Sequence, residues 1–231
     1  MAANSAPARG SPRRRRSAFD VADELREDIL SLALPPGTVL SRQALQARFG
    51  LSSTPIRDAL LALQEEGLVE VFPQHATRIT RIDLGLAREA QFLRRSIEME
   101  AAGLLAAAPD ESLVARLRAL IARQEIFAQA GDLESFERSD RAFHHTLYMA
   151  ADVPGLWPLV RRHSGQLDRL RRMHLPVEGR GSGIVAEHRA IVDAIAAGDS
   201  EAARAQTRRH LSQSLAFSEA LRVRFPDYFT A

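Results

Sequence analysis

Apolar residues near the start of the chain have the spacing of an amphipathic helix. Val21, Leu25, Ile29 and Leu32 recur every three or four positions, which places them on one helical face. The pattern stops at residues 35–37, Pro-Pro-Gly, because both residue types interrupt helices. The sequence therefore predicts one helix with a single buried face.

Two shorter helices are predicted directly after it. Ser41 is a suitable N-cap for a segment that Gly50 ends. The next helix is expected to open with Thr54 as N-cap and Pro55 in its first position, and Gly67 ends it. Two short helices around a tight turn, with a third covering their apolar faces, predict a helix-turn-helix.

The pattern then changes to short strands and afterwards to long helices. Residues 68–72 and 77–80 read as two strands of a β-hairpin wing. Residues 82–231 predict about six helices, with breaks expected near positions 109, 131, 152–155, 175–183 and 198. The predicted fold class is mainly α: an N-terminal winged helix-turn-helix with a small β-hairpin wing, followed by an all-α antiparallel helical bundle.

Charge and composition divide the chain into three expected regions. Residues 1–17 carry five Arg and no acid and predict a disordered tail, either a solvated leader or an arm that contacts phosphates. Residues 18–81 form the expected DNA-binding domain, and residues 82–231 the expected helical effector-binding and dimerisation domain.

The absence of cysteine excludes disulfides and thiolate metal sites and fits a reducing cytoplasm, where we expect the protein. The longest apolar stretch is far shorter than the roughly 20 residues needed to cross a bilayer. We therefore expect no membrane partner. The arginines of the tail are followed by acidic residues instead of an apolar segment, so an export signal is not expected.

The start of the third helix holds the main candidates for DNA contact, since side chains there face base edges and phosphates in a helix-turn-helix. Arg57 could hold a guanine or a phosphate, and spacing does not separate these roles. Helix capping is the alternative for the hydroxyl residues. The six Arg and nine acids of residues 18–81 predict weak binding by a monomer. The candidates are Arg42, Gln43, Ser52, Ser53, Thr54, Arg57 and, on the wing, His75.

A metal site is possible in the helical region. Asp140 and His144 are four residues apart, on one face of a predicted helix, and His188 and His210 lie on later helices. A carboxylate and three imidazoles converging in a bundle core would bind a divalent transition metal ion, with zinc as first choice and nickel or manganese as alternatives. On spacing alone, ordinary buried histidines remain the competing interpretation.

Three motifs in the N-terminal region carry a specific resemblance. Residues 36–40 (PGTVL), 51–60 (LSSTPIRDAL) and 66–69 (EGLV) resemble the winged helix-turn-helix of GntR-family regulators. The resemblance aligns Arg57 with the family's phosphate- or base-contacting arginine. Ser53 stands where the family usually has Arg, and Ala76 where its wing commonly has Gly. These departures imply a shifted operator preference.

The helical region is similar to the FCD effector domain of the FadR-like branch of this family. The resemblance implies that Asp140, His144, His188 and His210 form its metal site. It also gives Arg94, in the sequence Arg94-Arg95-Ser96-Ile97-Glu98, the role of binding an effector carboxylate. The alternative for Arg94 is an exposed helix arginine paired with Glu98. The family's Asn after the Asp/His helix is replaced by Asp152, which implies a changed polar contact or helix cap.

Together these features predict a ligand-responsive transcriptional regulator. We expect a homodimeric repressor that leaves a double-stranded, inverted-repeat operator when a small carboxylate effector binds beside the metal. The alternative is an architectural or metal-stabilised DNA-binding protein without a small-molecule response. An enzyme is not expected, because the chain lacks the common motifs of metalloproteases, serine hydrolases and nucleotide-binding enzymes.

Overall fold

The computed structural model describes residues 16–72, 76–177 and 179–230. Its N-terminal part contains three helices and a three-stranded antiparallel sheet. The elements are α1 (Ala18–Leu30), β1 (Val39–Leu40), α2 (Arg42–Phe49), α3 (Ser53–Glu65), β2 (Val69–Val71) and β3 (Thr77–Ile79). The predicted winged helix-turn-helix is confirmed. His75 lies outside the described residues, as do residues 1–15 of the predicted tail.

The sheet contains one strand that the sequence did not predict. Its order is β1-β3-β2, with Val39 opposite Arg78 on one side of β3 and Val69 opposite Ile79 on the other. Two residues are too few for an alternating pattern to show in sequence. The wing therefore rests on the segment that leads into α2.

Local capping explains where α2 and α3 of the N-terminal part begin and end. The Ser41 hydroxyl accepts a hydrogen bond from the Ala44 amide, and Gly50 ends α2 in the left-handed conformation with φ of 66°. The prediction that Thr54 caps α3 is wrong. The helix starts two residues earlier, at Ser53, with Ser52 in the capping position but without a side-chain bond. Pro55 still fits because the first-turn amides have no partner within a helix.

The C-terminal part is a helical bundle. Its elements are α4 (Leu84–Ala107), α5 (Glu111–Ala130), α6 (Leu133–Ala150), α7 (Leu156–His163), α8 (Gly165–His174), α9 (Arg180–Ala196), α10 (Ser200–Ser212) and α11 (Ser218–Arg224), with 3-10 turns at Gln213–Leu215 and Pro226–Tyr228. The longest helix, α4, packs against α6, α8, α9 and α10, so it forms the centre of the bundle.

The prediction of about six helices in this part was too low. The break between α7 and α8 at Ser164, directly before Gly165, was not predicted, and α11 follows a short 3-10 turn. The expected break at 175–183 is also too long, since α9 already starts at Arg180. Asp152 has a left-handed φ of 57° directly after α6, so it acts at the helix end.

Three groups of buried apolar side chains hold the structure together. One lies under α1, α2, α3 and the sheet, and the largest lies within the bundle. The third lies around the segment between β3 and α4 and includes Ile82, Leu170, Leu221 and Phe229. There Ile82 donates its amide to the Tyr228 carbonyl at 2.7 Å, in an isolated parallel bridge with Phe229. The chain end therefore packs on the segment between β3 and α4.

None of the helices within the described ranges combines the length and the apolar character that a membrane span requires.

Candidate metal centre and nucleic-acid interface

Three histidines that are far apart in sequence meet inside the bundle. His144 comes from α6, His188 from α9 and His210 from α10, and all three are buried. Each position belongs to the apolar face of its helix, so packing the helices directs the imidazoles inward. Phe143 stacks on His188 with ring centres 4.0 Å apart, which fixes that ring from one side.

The Nδ1 atom of each histidine is held by a side-chain oxygen at 2.7 Å. The acceptors are Glu98 Oε2 for His144, Gln124 Oε1 for His188 and Glu187 Oε2 for His210. A carboxylate or amide oxygen only accepts, so each Nδ1 carries the proton and donates it. The Nε2 atoms are then left with free lone pairs, the arrangement typical of histidines that bind metals.

These Nε2 atoms face one another. His188 Nε2 is 3.2 Å and His144 Nε2 is 3.3 Å from His210 Nε2. Asp140 Oδ1 is 3.8 Å from His144 Nε2 and 3.7 Å from His188 Nε2. That carboxylate oxygen is buried and makes no hydrogen bond within the described residues. Four acceptor atoms thus surround one point without a donor among them.

These four atoms would be suitable ligands for a divalent transition metal ion. Two nitrogens that are each about 2.1 Å from a common zinc ion lie roughly 3.0–3.4 Å apart, which matches the separations of His188 and His144 from His210. Three imidazoles with one carboxylate suit zinc, nickel or manganese, and the Asp140 oxygen without a partner would gain one. The positions predicted from sequence, Asp140, His144, His188 and His210, are therefore brought together by the fold.

The protonation states favour the same interpretation. Burial, reinforced by Arg94, lowers the pKa of His144 to about 4, and burial with the neighbouring His210 lowers the pKa of His188 well below its usual range. Both rings are neutral at pH 7 and ready to coordinate. Burial pushes the pKa of Asp140 upward, but Arg171 and the histidines outweigh it, so the carboxyl stays ionised.

Arg94 lies beside this cluster on α4. The side chain is buried, and its Nε donates to Glu98 Oε1 at 2.6 Å. Burial raises the pKa of Glu98, but Arg94 and His144 together lower it below the ordinary value. The alternative of an exposed Arg94 is wrong, although the pairing with Glu98 is present. Tyr148 also donates to Glu98 Oε1, at 3.3 Å.

A cavity of about 750 Å³ adjoins the cluster. Its lining includes Arg94, Asp140 and Arg171 from the bundle, and Glu27 and Leu32 from the α1 end of the DNA-reading part. Volumes of this order hold small organic ligands. Arg171 Nη2 donates to Asp140 Oδ2 at 2.6 Å, so the cavity wall contacts the cluster directly.

Six of the seven residues proposed to contact DNA have exposed side chains, and the seventh, His75, lies outside the described residues. Arg42 and Gln43 open α2, and Ser52, Ser53 and Thr54 open α3, all with exposed side chains. Arg57 follows one turn later and is also exposed, 3.8 Å from Asp58. The acids of α1 are partly neutralised, since Arg48 bonds to Glu24 and Asp28. The exposed hydroxyl side chains at the start of α3 suit contacts with phosphate.

Some residues of the centre were not identified from sequence. Glu98 appeared only as a partner of Arg94, and Gln124 and Arg171 had no signal at all, because their partners are distant in sequence. Glu187 is adjacent to His188 in sequence, but its side chain orients His210, whose Nδ1 it binds. The one sequence signal for Glu98 was its position four residues after Arg94, where it can pair with that arginine on the same helix.

The fold and the two sites define a DNA-binding transcriptional regulator with a helical sensor domain. Residues 18–79 match the bacterial regulatory proteins of the gntR family, and residues 89–213 match the FCD domain. The chain belongs to the GntR family and carries an FCD domain. It is a transcriptional regulator and not an enzyme.

Individual relatives agree with this assignment. An uncharacterized HTH-type transcriptional regulator in an unstable DNA locus of Streptomyces ambofaciens is 37% identical over 210 residues, 91% of this chain and 88% of the relative. The HTH-type transcriptional repressor RspR of Escherichia coli K12 is 28% identical over 206 residues, 89% of this chain and 90% of RspR. The solved structure of E. coli McbR/YncC shares the fold, with a TM-score of 0.75, 22% identity and coverage of 88% and 97%.

Proposed function

We propose that this regulator is a homodimeric repressor that binds an inverted-repeat operator and releases it when a small carboxylate enters the metal-containing cavity. The observation that carries the proposal is the convergence of three deprotonated Nε2 atoms and the unpartnered Asp140 oxygen beside a cavity lined by arginine. A bound metal ion and the Arg94 guanidinium could then contact the same anion.

The residues proposed to hold the metal are Asp140, His144, His188 and His210. When bound, the ion would supply positive charge and an open position for an effector oxygen. Arg94 would pair with the effector carboxylate, because a guanidinium remains charged when buried and offers planar donors. Glu98, Gln124 and Glu187 keep the three imidazoles in the required tautomer and orientation.

DNA reading is assigned to the exposed starts of α2 and α3. Arg57 contacts a base edge or a phosphate, and the amides and hydroxyls of residues 52–54 position the helix on the backbone. A two-fold dimer matches an inverted repeat, with the half-site spacing set by the distance between the two reading helices. The two winged helix-turn-helix domains of a dimer, each a weak binder, then bind one operator together with higher affinity.

Release requires that the effector bind the DNA-free arrangement more tightly than the DNA-bound one. The experiment is therefore a titration of operator binding. An operator selected from a random duplex library is titrated with protein by fluorescence anisotropy, with Zn²⁺ present or chelated, and with acetate, citrate or gluconate added.

We expect wild type to bind Zn²⁺ and at least one acid to weaken operator binding tenfold or more, only with metal present. His188→Ala removes both effects, whereas His163→Ala, at an exposed histidine, leaves both unchanged. If chelation lowers thermal stability and no acid changes operator affinity, the protein is a metal-stabilised DNA binder without ligand response. If His188→Ala retains metal and response, the site is assigned wrongly.

A further inference from the structure

Helix α8 contacts both the DNA-reading part and the wall of the cavity. It is ten residues long, about 15 Å, and runs from Gly165 to His174. Its first residues contact the N-terminal part, and its later residues line the cavity beside the histidine cluster. A short rigid helix with these two contacts can transmit a displacement from one to the other.

The first end of α8 is fitted closely to the turn after α3. A Cβ atom at Gly165 would lie 2.6 Å from Leu68 Cδ2, so any larger residue would force the buried Leu68 side chain to shift. Gln166 Nε2 donates to the Gly67 carbonyl at 3.2 Å, and Gln166 Oε1 accepts from the Asp83 amide at 3.2 Å. Gly67 lies two residues beyond the end of α3, the proposed recognition helix, so the bond from Gln166 to Gly67 acts at the end of that helix.

Arg169 strengthens the same contact in an unusual way. Its guanidinium is fully buried and donates to the Thr80 carbonyl at 2.6 Å, to Thr80 Oγ1 at 3.2 Å and to Gln166 Oε1 at 2.5 Å. None of these acceptors is a carboxylate, and burial lowers the pKa of Arg169 to about 10. A buried charge without a counter-ion is costly. Because Arg169 lies on α8, a shift of α8 would break its hydrogen bonds to Thr80 and leave the guanidinium buried without them.

Another side chain of α8, Arg171, is bonded to Asp140 beside the histidine cluster. Arg171 donates to Asp140 Oδ2 at 2.6 Å, and Asp140 Oδ1 faces the histidines. The neighbouring Asp168 accepts from Arg161 at 2.7 Å and lies 3.9 Å from Arg171. An anion that enters the cavity therefore meets a guanidinium whose present partner is a proposed metal ligand.

We propose that the effector acts on DNA binding by contacting Arg171, and that α8 carries the change to the recognition helix. An incoming anion competes with Asp140 for Arg171, and the resulting shift of α8 displaces the bonds of Gln166 and Arg169 to Gly67 and Thr80. This inference rests on the proposed function, because it assumes that an effector occupies the cavity.

The test is a double-mutant cycle on operator affinity that needs no ligand. Arg171→Gln breaks the bond to Asp140, and Arg169→Met breaks the contact to Thr80. Arg172→Gln is the matched control, because Arg172 is on the same helix, equally exposed and paired with Glu137. All variants are measured as full-length protein in one Zn²⁺-containing buffer against the selected operator.

We expect Arg171→Gln to change the operator Kd at least tenfold and Arg172→Gln to change it less than threefold. In the Arg169→Met background, Arg171→Gln should then change the Kd less than threefold. Additive effects of the two substitutions would overturn the inference. Gln166→Ala replaces Arg169→Met if the latter does not fold, as judged by circular dichroism.

A distance measurement gives an independent readout. The chain has no native cysteine, so Gln64→Cys on α3 and Arg118→Cys on α5 accept spin labels without background. We expect the label distance to change in Arg171→Gln and to stay unchanged in Arg172→Gln; identical distances in all proteins would refute the link. If wild type responds to no acid but the cycle is non-additive, the proposed effector response fails while the α8 link holds.

Discussion

Replacing Glu98 by Gln should weaken metal binding although Glu98 is not itself a ligand. The two oxygens of Glu98 accept from three donors, His144 Nδ1, Arg94 Nε and the Tyr148 hydroxyl. An amide keeps only one oxygen. If that oxygen faces Arg94, the amide NH₂ faces His144 Nδ1, which then has to accept and moves its proton to Nε2. That proton points into the metal position.

The expected magnitude follows from the role of such orienting bonds. Loss of a hydrogen bond that orients a metal-bound histidine costs about 10–100-fold in affinity, or about 1.4–2.7 kcal/mol. Glu98 should lie at the upper end, because it is fully buried and no water can replace it. Glu187→Gln at His210 should cost less than about tenfold, since Glu187 is partly exposed and solvent can compensate.

The assay is a competition titration of Zn²⁺ between the folded protein and a chromophoric chelator. Circular dichroism at the assay temperature confirms that each variant is folded, because Glu98→Gln also leaves Arg94 without a counter-ion and lowers stability. Glu125→Gln, an exposed carboxylate on α5, is the control and should bind as wild type does. Equal Zn²⁺ affinity of Glu98→Gln and Glu125→Gln would refute this explanation of the centre.

Three further predictions concern stability and DNA binding. Chelating the metal should lower the melting temperature by about 5–11 °C, because occupancy at 100-fold above Kd stabilises by about 2.7 kcal/mol; an unchanged melting curve would contradict this. Arg57→Ala should weaken operator binding by about 1–3 kcal/mol, and an equal loss on all DNA sequences with a smaller salt dependence would assign Arg57 to a phosphate. Asp83→Ala removes the N-cap of α4, which accepts from the Gly85 and Leu86 amides at 2.7 and 3.1 Å, and should cost about 1–2 kcal/mol in urea unfolding, whereas no change would contradict the capping role.

The fold class was predictable because its signals are local. The spacing of Val21, Leu25 and Ile29 and the caps at Ser41 and Gly50 depend on residues within one helical turn. Strand β1 was missed because a two-residue strand has no period. The break at Ser164 was missed because a single glycine, Gly165, is a weak signal, and its contact with Leu68 is nearly one hundred residues away in sequence.

The candidate site was predictable in its proposed ligands but not in their supports. Asp140 and His144 share a helix, so their spacing carries information. Gln124 and Arg171 are recognised only once α5 and α8 are packed beside the histidines. Long-range partners of this kind leave no periodic pattern in a single sequence, and the contact of Arg169 with Thr80 is invisible for the same reason.

Anomalous X-ray diffraction of crystals grown from protein supplied with Zn²⁺ tests the central claim most directly. We predict one zinc peak within about 2.2 Å of the Nε2 atoms of His144, His188 and His210 and of an Asp140 oxygen. A map without zinc between these side chains, with the three Nε2 atoms bonded to one another or to water, would contradict the account.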